Sequence, residues 1–258
     1  MKIKLHITAL QIPLFWEAPA LNRKNIDEKL TKLPVTDIVL LPEMFTSGFT
    51  MNPSIVAESM DGSTIKWMKS WAYNLDAAIG GSIVIKEDGA YLNRFVWVTP
   101  SGKSFFYDKH HTFKLAGEDK VYQRGNDDGI IIFKGWKICL RICYDLRFPV
   151  WSRNTQDYDL LIYVANWPKP RISAWDILLK ARAIENMSYV VGVNRCGEDF
   201  KGNDYPGHSA TYDALGNCIS GDLSSGTKNV SASINYQELQ SHRKNLRFLE
   251  DRDNFDLC

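Results

Sequence analysis

The segment Ile130-Ile-Ile-Phe-Lys-Gly-Trp-Lys-Ile-Cys-Leu-Arg-Ile-Cys143 runs directly into Tyr144-Asp-Leu-Arg-Phe-Pro149. Its β-branched, apolar character predicts strand. Alternation puts Ile138, Leu140 and Ile142 on one face and Cys139, Arg141 and Cys143 on the other. Pro149 suits the first turn of a following helix, where a missing N–H costs nothing. A thiol at a strand end, just ahead of a helix, sits where backbone N–H groups can face developing negative charge. The same cysteine would serve equally well as a small core hydrophobe, and this segment alone leaves both roles open.

Outward from it, strand-like runs recur at 3–11, 37–41, 77–85, 91–99, 103–107, 159–165, 189–194, 209–212, 218–220 and 229–234. Helical patterns fall at 20–33, 63–75, 149–154, 173–187 and 236–245. Glu87-Asp-Gly89 and Ser101-Gly102 are turn signals between adjacent strands, so part of the sheet is antiparallel. Strand–helix–strand units at both ends call for parallel crossovers. Together they predict a mixed α/β fold with helices covering sheet faces. The helix from Ser173 opens with a capping residue and carries Asp176 three positions on, a capping-box variant. Its body is apolar on more than one face, which suits burial on two sides. With no repeats, low-complexity tracts or linkers, residues 1–258 read as a single domain.

The composition, 45% hydrophobic and 24% charged over 258 residues, supports a substantial core. A formal net charge of +1 with no basic run gives no reason to expect nucleic acid or an anionic membrane as partner. Met1 to Gln11 lacks an apolar signal region and reads as a first strand; no stretch has the length of a membrane span. Five scattered cysteines (139, 143, 196, 218 and 258) fit a reducing, cytoplasmic setting. Cys139 and Cys143 lie roughly 13 Å apart on a strand, too far for a disulfide or a shared metal. His110 and His111 have no partner at metal-ligand spacing, so neither a metal nor another cofactor is expected.

A cysteine nucleophile needs a base, because a free thiol is largely protonated at neutral pH. Glu43 is a candidate: 37–41 reads as a buried strand, Pro42 ends its ladder, and Met44 and Phe45 would partly desolvate the carboxylate, improving it as a base. Lys109 follows another strand in Tyr107-Asp-Lys-His-His-Thr-Phe113, where an ammonium could favour thiolate and hold an oxyanion. Glu118 is a fourth candidate. Each of the three could equally be a solvated loop charge. Gly207-His-Ser-Ala-Thr211 lacks the second glycine of a nucleophile elbow. No phosphate-binding glycine loop or His-Glu-x-x-His occurs, and the papain signature around the cysteine is absent.

Leu40-Leu-Pro-Glu43-Met-Phe, Tyr107-Asp-Lys109-His-His-Thr-Phe and Arg141-Ile-Cys143-Tyr-Asp-Leu-Arg-Phe-Pro149 together resemble the three catalytic motifs of the nitrilase, or carbon–nitrogen hydrolase, superfamily. Their order, Glu then Lys then Cys, is the family's. The likeness extends over nearly the whole chain, including Lys180-Ala-Arg-Ala-Ile-Glu-Asn186. Cys-Tyr-Asp-Leu-Arg-Phe-Pro and Ala165-Asn-Trp-Pro168 most resemble the ω-amidase branch. The resemblance implies a four-layer α-β-β-α sandwich of mixed sheets, a homodimer formed through helices, and Glu118 as the family's second glutamate, orienting the lysine. It implies Cys143 as nucleophile, Glu43 as base, Lys109 and the Tyr144 N–H as oxyanion donors, and no cofactor. The implied substrate is a small-molecule amide, a short dicarboxylic monoamide such as 2-oxoglutaramate. Arg147 is then a candidate for its distal carboxylate, unless it is a structural ion-pair partner. Phe45, Phe113, Tyr144 and Trp167 are candidate walls, though each could belong to the core. Aliphatic amidase, nitrilase, N-carbamoyl hydrolase or acyltransferase chemistry, or a non-catalytic binding role, are the alternatives on the same scaffold.

Overall fold

The alternation in 138–142 is realised between two packed sheets. The computed structural model describes residues 2–255; Met1 and 256–258, with Cys258, lie outside the described residues. Along the chain come β1 (Lys4–Gln11), α1 (Pro19–Leu30), β2 (Ile38–Leu40), α2 (Ser63–Leu75), β3 (Ala78–Glu87), β4 (Ala90–Val98) and β5 (Ser104–Asp108). There follow β6 (Ile130–Phe133), β7 (Trp136–Ile142), β8 (Leu160–Ala165), α3 (Ile172–Asn186), β9 (Tyr189–Asn194), β10 (Cys196–Glu198) and β11 (Asp204–Pro206). The last elements are β12 (Ala210–Tyr212), β13 (Lys228–Asn235) and α4 (Tyr236–Leu246).

One sheet has the order β13-β1-β2-β3-β4-β5, the other β12-β9-β8-β7-β6, and β10 pairs with β11 in a short hairpin. Both large sheets are mixed: β1, β2 and β3 run parallel, as do β7, β8 and β9, while their outer neighbours are antiparallel. Ile138, Leu140 and Ile142 share one cluster with Leu5, Ile7, Ile38, Phe95 and Trp97 across the sheet interface. Each fully buried Ile or Leu contributes roughly 1.5–3 kcal/mol. A one-residue slip of β7 would put Arg141 in that interface instead, which fixes the register.

The outer faces carry helices. Ile26 and Leu30 of α1 and Ile65, Met68 and Ala72 of α2 cover Val39, Leu41 and Ile79. Trp175, Leu179 and Ala183 of α3 cover Cys139, Leu161 and Tyr163. Gly192 permits that contact, since a Cβ there would lie 2.3 Å from Leu179 Cδ1. The layers are therefore α-β-β-α, as the sequence resemblance implied.

Three expectations are corrected. No helix forms over 149–154: a 3-10 turn at Cys143–Arg147 comes first, and beyond Pro149 only short i→i+3 bonds such as Ser152 N–H to Pro149 O follow. Cys218 makes one isolated bridge to Tyr212 and no strand. Ser173 lies inside α3, whose cap position is Arg171 and carries no side-chain cap; Asp176 instead meets His208 Nδ1 at 3.1 Å. Within this chain α3 buries one face, and Ile177 (66% exposed) and Ile184 (45%) lie open on the other. Among the described residues no helix is long and apolar enough to cross a membrane.

Candidate active site

Glu43 lies just beyond β2, Lys109 just beyond β5, Cys143 at the end of β7 and Asn166 at the end of β8. Side-chain burial is nearly complete for Glu43 (1% exposed), Lys109 (1%) and Glu118 (0%), so none is a solvated loop charge. Lys109 Nζ donates to Glu43 Oε1 at 2.8 Å and to Glu118 Oε1 and Oε2 at 3.0 and 2.9 Å. Two residues that sequence reasoning missed complete the cluster. Asn93 Nδ2 donates to Glu43 Oε1 (2.9 Å) and Glu118 Oε1 (3.2 Å). Asn166 donates its backbone N–H to Glu43 Oε2 (2.9 Å) and its Nδ2 to the Glu43 carbonyl (2.6 Å). Asn93 had a signal, a lone amide within the apolar run of β4 that is buried along with its neighbours. Asn166 had one in the unusual Asn-Trp-Pro sequence that ends β8.

Cys143 turns the chain sharply, with φ +44°, and Met44 beside Glu43 does the same at φ +44°. Left-handed backbone at non-glycine residues costs of order 1–3 kcal/mol and persists where the surroundings enforce it. Here Asp145 does so for Cys143. Its buried carboxylate accepts the Ile142 N–H (3.0 Å) and Tyr107 hydroxyl (2.8 Å) on Oδ2, and the His111 N–H (3.0 Å) on Oδ1. His111 Nδ1 lies 2.8 Å from the same Oδ1, and the His111 ring stacks on Phe148 with centroids 3.7 Å apart. His110 stacks on Trp151 at 3.6 Å. The paired histidines thus tie the lysine loop to the cysteine turn.

Burial, then the Glu43 carboxylate, push the Cys143 thiol well above its ordinary range, against the downward pull of Lys109. The ammonium was expected to favour thiolate. It does pull that way, but its charge is already shared between two carboxylates. Burial opposes the Lys109 charge, yet Glu118 and Glu43 outweigh it and raise the lysine above its usual value. Burial also raises Glu118, with Glu43 adding to the rise and Lys109 opposing it. Burial and the neighbouring carboxylate thus favour the neutral thiol of Cys143 over its thiolate, and a neutral thiol needs a base.

Glu43, Lys109 and Cys143 line a cavity of about 660 Å³ together with Phe113, Tyr144, Arg147 and Trp167. Phe45 does not line it. It is fully buried in the core under α2, where Gly81 admits its ring: a Cβ on Gly81 would stand 2.9 Å from Phe45 Cδ1. Phe49 and Trp16 supply aromatic wall instead. Arg147 has no carboxylate partner among the described residues; its guanidinium lies over the Trp167 ring, 4.9 Å from the centroid. This cavity can seat a small carbonyl compound against a thiol, a carboxylate and an ammonium.

The family model described as carbon–nitrogen hydrolase matches residues 8–244. The chain belongs to the carbon–nitrogen hydrolase family. This carbon–nitrogen hydrolase is 42% identical over 251 residues to the ω-amidase YafV of Yersinia enterocolitica, covering 97% of this chain and 98% of that protein. It is 31% identical to the 2-oxoglutaramate amidase of Bacillus subtilis, covering 96% and 98%. Among solved structures it resembles a CN-hydrolase superfamily protein from Xanthomonas campestris that carries an arsenic adduct in its active site. That likeness has a TM-score of 0.96, with 39% identity and both chains covered completely. The carbon–nitrogen hydrolase thus has the nitrilase-like sandwich and is a hydrolase of amide carbon–nitrogen bonds.

Proposed function

We propose that the protein is an ω-amidase that removes ammonia from the terminal carboxamide of a small dicarboxylic monoamide, with 2-oxoglutaramate as the leading candidate. The observation that carries the chemistry is that Glu43 and Lys109 line the cavity together with Cys143, with the buried Glu118 bonded to Lys109. The names of the relatives support the substrate class.

Glu43 takes the thiol proton as Cys143 Sγ forms its bond to the amide carbon. The oxyanion is held by the Lys109 ammonium and the Tyr144 N–H, which lies in the first turn after β7 where an N–H has no helical partner. Removing one such donor typically costs about 3–4 kcal/mol. As the tetrahedral species collapses, the carbon–nitrogen bond breaks and protonated Glu43 gives its proton to the departing nitrogen, leaving a thioester and ammonia. Water then gives a proton to Glu43 and its oxygen to the acyl carbon; the carbon–sulfur bond breaks, Cys143 recovers its proton, and the carboxylic acid leaves. Glu118 holds Lys109 through both of its carboxylate oxygens.

The same reading has the chain working in the cytoplasm as a homodimer, joined through the outer face of α3 where Ile177 and Ile184 stand two turns apart. Ammonia release is tested on 2-oxoglutaramate, succinamate, a neutral amide, a nitrile and an N-carbamoyl amino acid, with Cys143→Ala as control. The expected result is turnover of the two monoamides and none by the variant, whose fold stays intact. Cys143→Ser is expected to be very slow, since a hydroxyl ionises far less readily than a thiol. Unimpaired turnover by Cys143→Ala rules the scheme out.

A further inference from the structure

Two guanidinium groups line the cavity without a counter-ion. Arg147 and Arg171 make neither a salt bridge nor a side-chain hydrogen bond among the described residues, unlike Arg94, Arg182 and Arg243, which pair with Glu87 and Asp108, with Glu185 and with Asp159. Each lies instead against an aromatic ring of the same cavity: Arg147 Cζ is 4.9 Å from the Trp167 centroid and Arg171 Cζ is 5.4 Å from that of Phe113. Trp167 Nε1 donates to the Arg171 carbonyl at 2.7 Å, so the ring that Arg147 rests on is tied to the backbone of Arg171. A guanidinium resting on a ring keeps its planar fork free to grip a carboxylate.

Neither Glu17 nor Asp199, the other acids of the cavity wall besides Glu43, forms an ion pair with these cations among the described residues; each is held by neutral donors. Glu17 accepts the Thr50 hydroxyl. Asp199 takes the Lys201 and Asn203 N–H groups, the Asn203 amide and the Tyr205 hydroxyl. Next to Arg171, α3 opens without a side-chain cap and without an acid in its first turn, so its positive end is uncompensated. Lys201 is the remaining unpaired cation on the wall, but it is exposed at the rim and its ammonium rests against Phe200.

We infer that Arg171, together with Arg147, forms the subsite for the distal carboxylate and sets the preference for an anionic over a neutral amide. This rests on the substrate class proposed above. The sequence pointed to Arg147 alone; the second cation lines the same cavity from a different loop, in the turn that precedes α3.

The test compares kcat/KM for succinamate with that for butyramide, which has the same chain length and no charge. It uses wild type, Arg171→Gln, Arg171→Lys and Arg147→Gln. Loss of a charge-assisted bidentate pair should lower the succinamate-to-butyramide ratio roughly 10- to 100-fold in Arg171→Gln, mostly through KM. Arg171→Lys should restore part of the ratio, and inhibition by succinate should weaken in step with it. A ratio unchanged in both glutamine variants, with wild type favouring succinamate, places the carboxylate elsewhere and overturns the assignment. A wild type that hydrolyses butyramide as well as succinamate overturns the substrate reading itself, and this inference with it. Should Arg171→Gln not fold, Arg171→Lys and Arg147→Gln carry the same comparison.

Discussion

Asn93 supplies one amide to two buried carboxylates that also share one ammonium. Hydrogen bonds to charged groups contribute about 1.5–3 kcal/mol each. Asn93→Ala is therefore expected to slow kcat roughly 10- to 100-fold with a smaller effect on KM. The pH dependence follows from the same bond. A donor to a carboxylate favours its charged form, so losing it raises Glu118 beyond the elevation that burial already gives. The acidic limb of the rate profile should shift to higher pH in the variant; an unmoved limb would show that Asn93 does not act through these carboxylates. Asn166→Ala removes the bond to the Glu43 carbonyl but keeps the backbone donor to Oε2. Its expected loss is smaller, about tenfold in kcat.

At the scale of elements, the site depends on loops held together by buried acids. Asp145 ties the end of β5 to the turn after β7, and Asp145→Ala would leave three donors, the Tyr107 O–H, the His111 N–H and the Ile142 N–H, without this acceptor. Each such loss costs about 1–3 kcal/mol. A total near 3 kcal/mol or more implies a melting temperature lower by roughly 6–12 °C for a chain this size, read by calorimetry. Asp37 does a similar job at the far end of β2, where Lys2, Lys134 and the His6 N–H converge on it. Burial opposes its ionisation, but those partners prevail and hold its pKa at about 2, below the ordinary 3.8. A carboxyl lowered in the folded state contributes stability that is complete above the unfolded pKa and lost as pH falls through the folded one. Asp37→Asn should therefore melt earlier than wild type at neutral pH, and the gap should close between roughly pH 4 and pH 2.

The molecule as a whole uses its two sheets to bring four strand ends to one place. β2, β5, β7 and β8 each stop beside the cavity, and the residues that follow them carry Glu43, Lys109, Cys143 and Asn166. The outer face of α3 belongs to the same scale, because α3 also starts at Arg171 beside the cavity. If that face joins two copies, Ile177→Asp with Ile184→Asp should halve the mass measured by sedimentation. A mass unchanged by the pair of substitutions places any contact elsewhere. The Asn93 and Asp145 tests are independent of this one, since those groups are satisfied within one chain.

The sequence by itself determined a mixed α/β fold with helices over sheet faces, because strand alternation and helical periodicity are local records of which face is buried; the four-layer order came from the family resemblance. It also nominated Glu43, Lys109 and Cys143 as candidates, since strand-end position, residue chemistry and family order agree at those residues, and the structure brings all three to one cavity. Glu118 was named as well, but its burial could not be read from a turn-like Gly-Glu-Asp-Lys run. What only the tertiary structure decided are relations between distant segments. Asn93 and Asn166 reach Glu43 across 50 and 123 residues of chain. Phe45 turns into the core because Gly81 of another strand leaves room for it, and the helix expected after Pro149 gives way to the turn that Asp145 holds at Cys143. Hydrogen-bond partners and close packing depend on which chain segments meet, and neither composition nor spacing records that meeting.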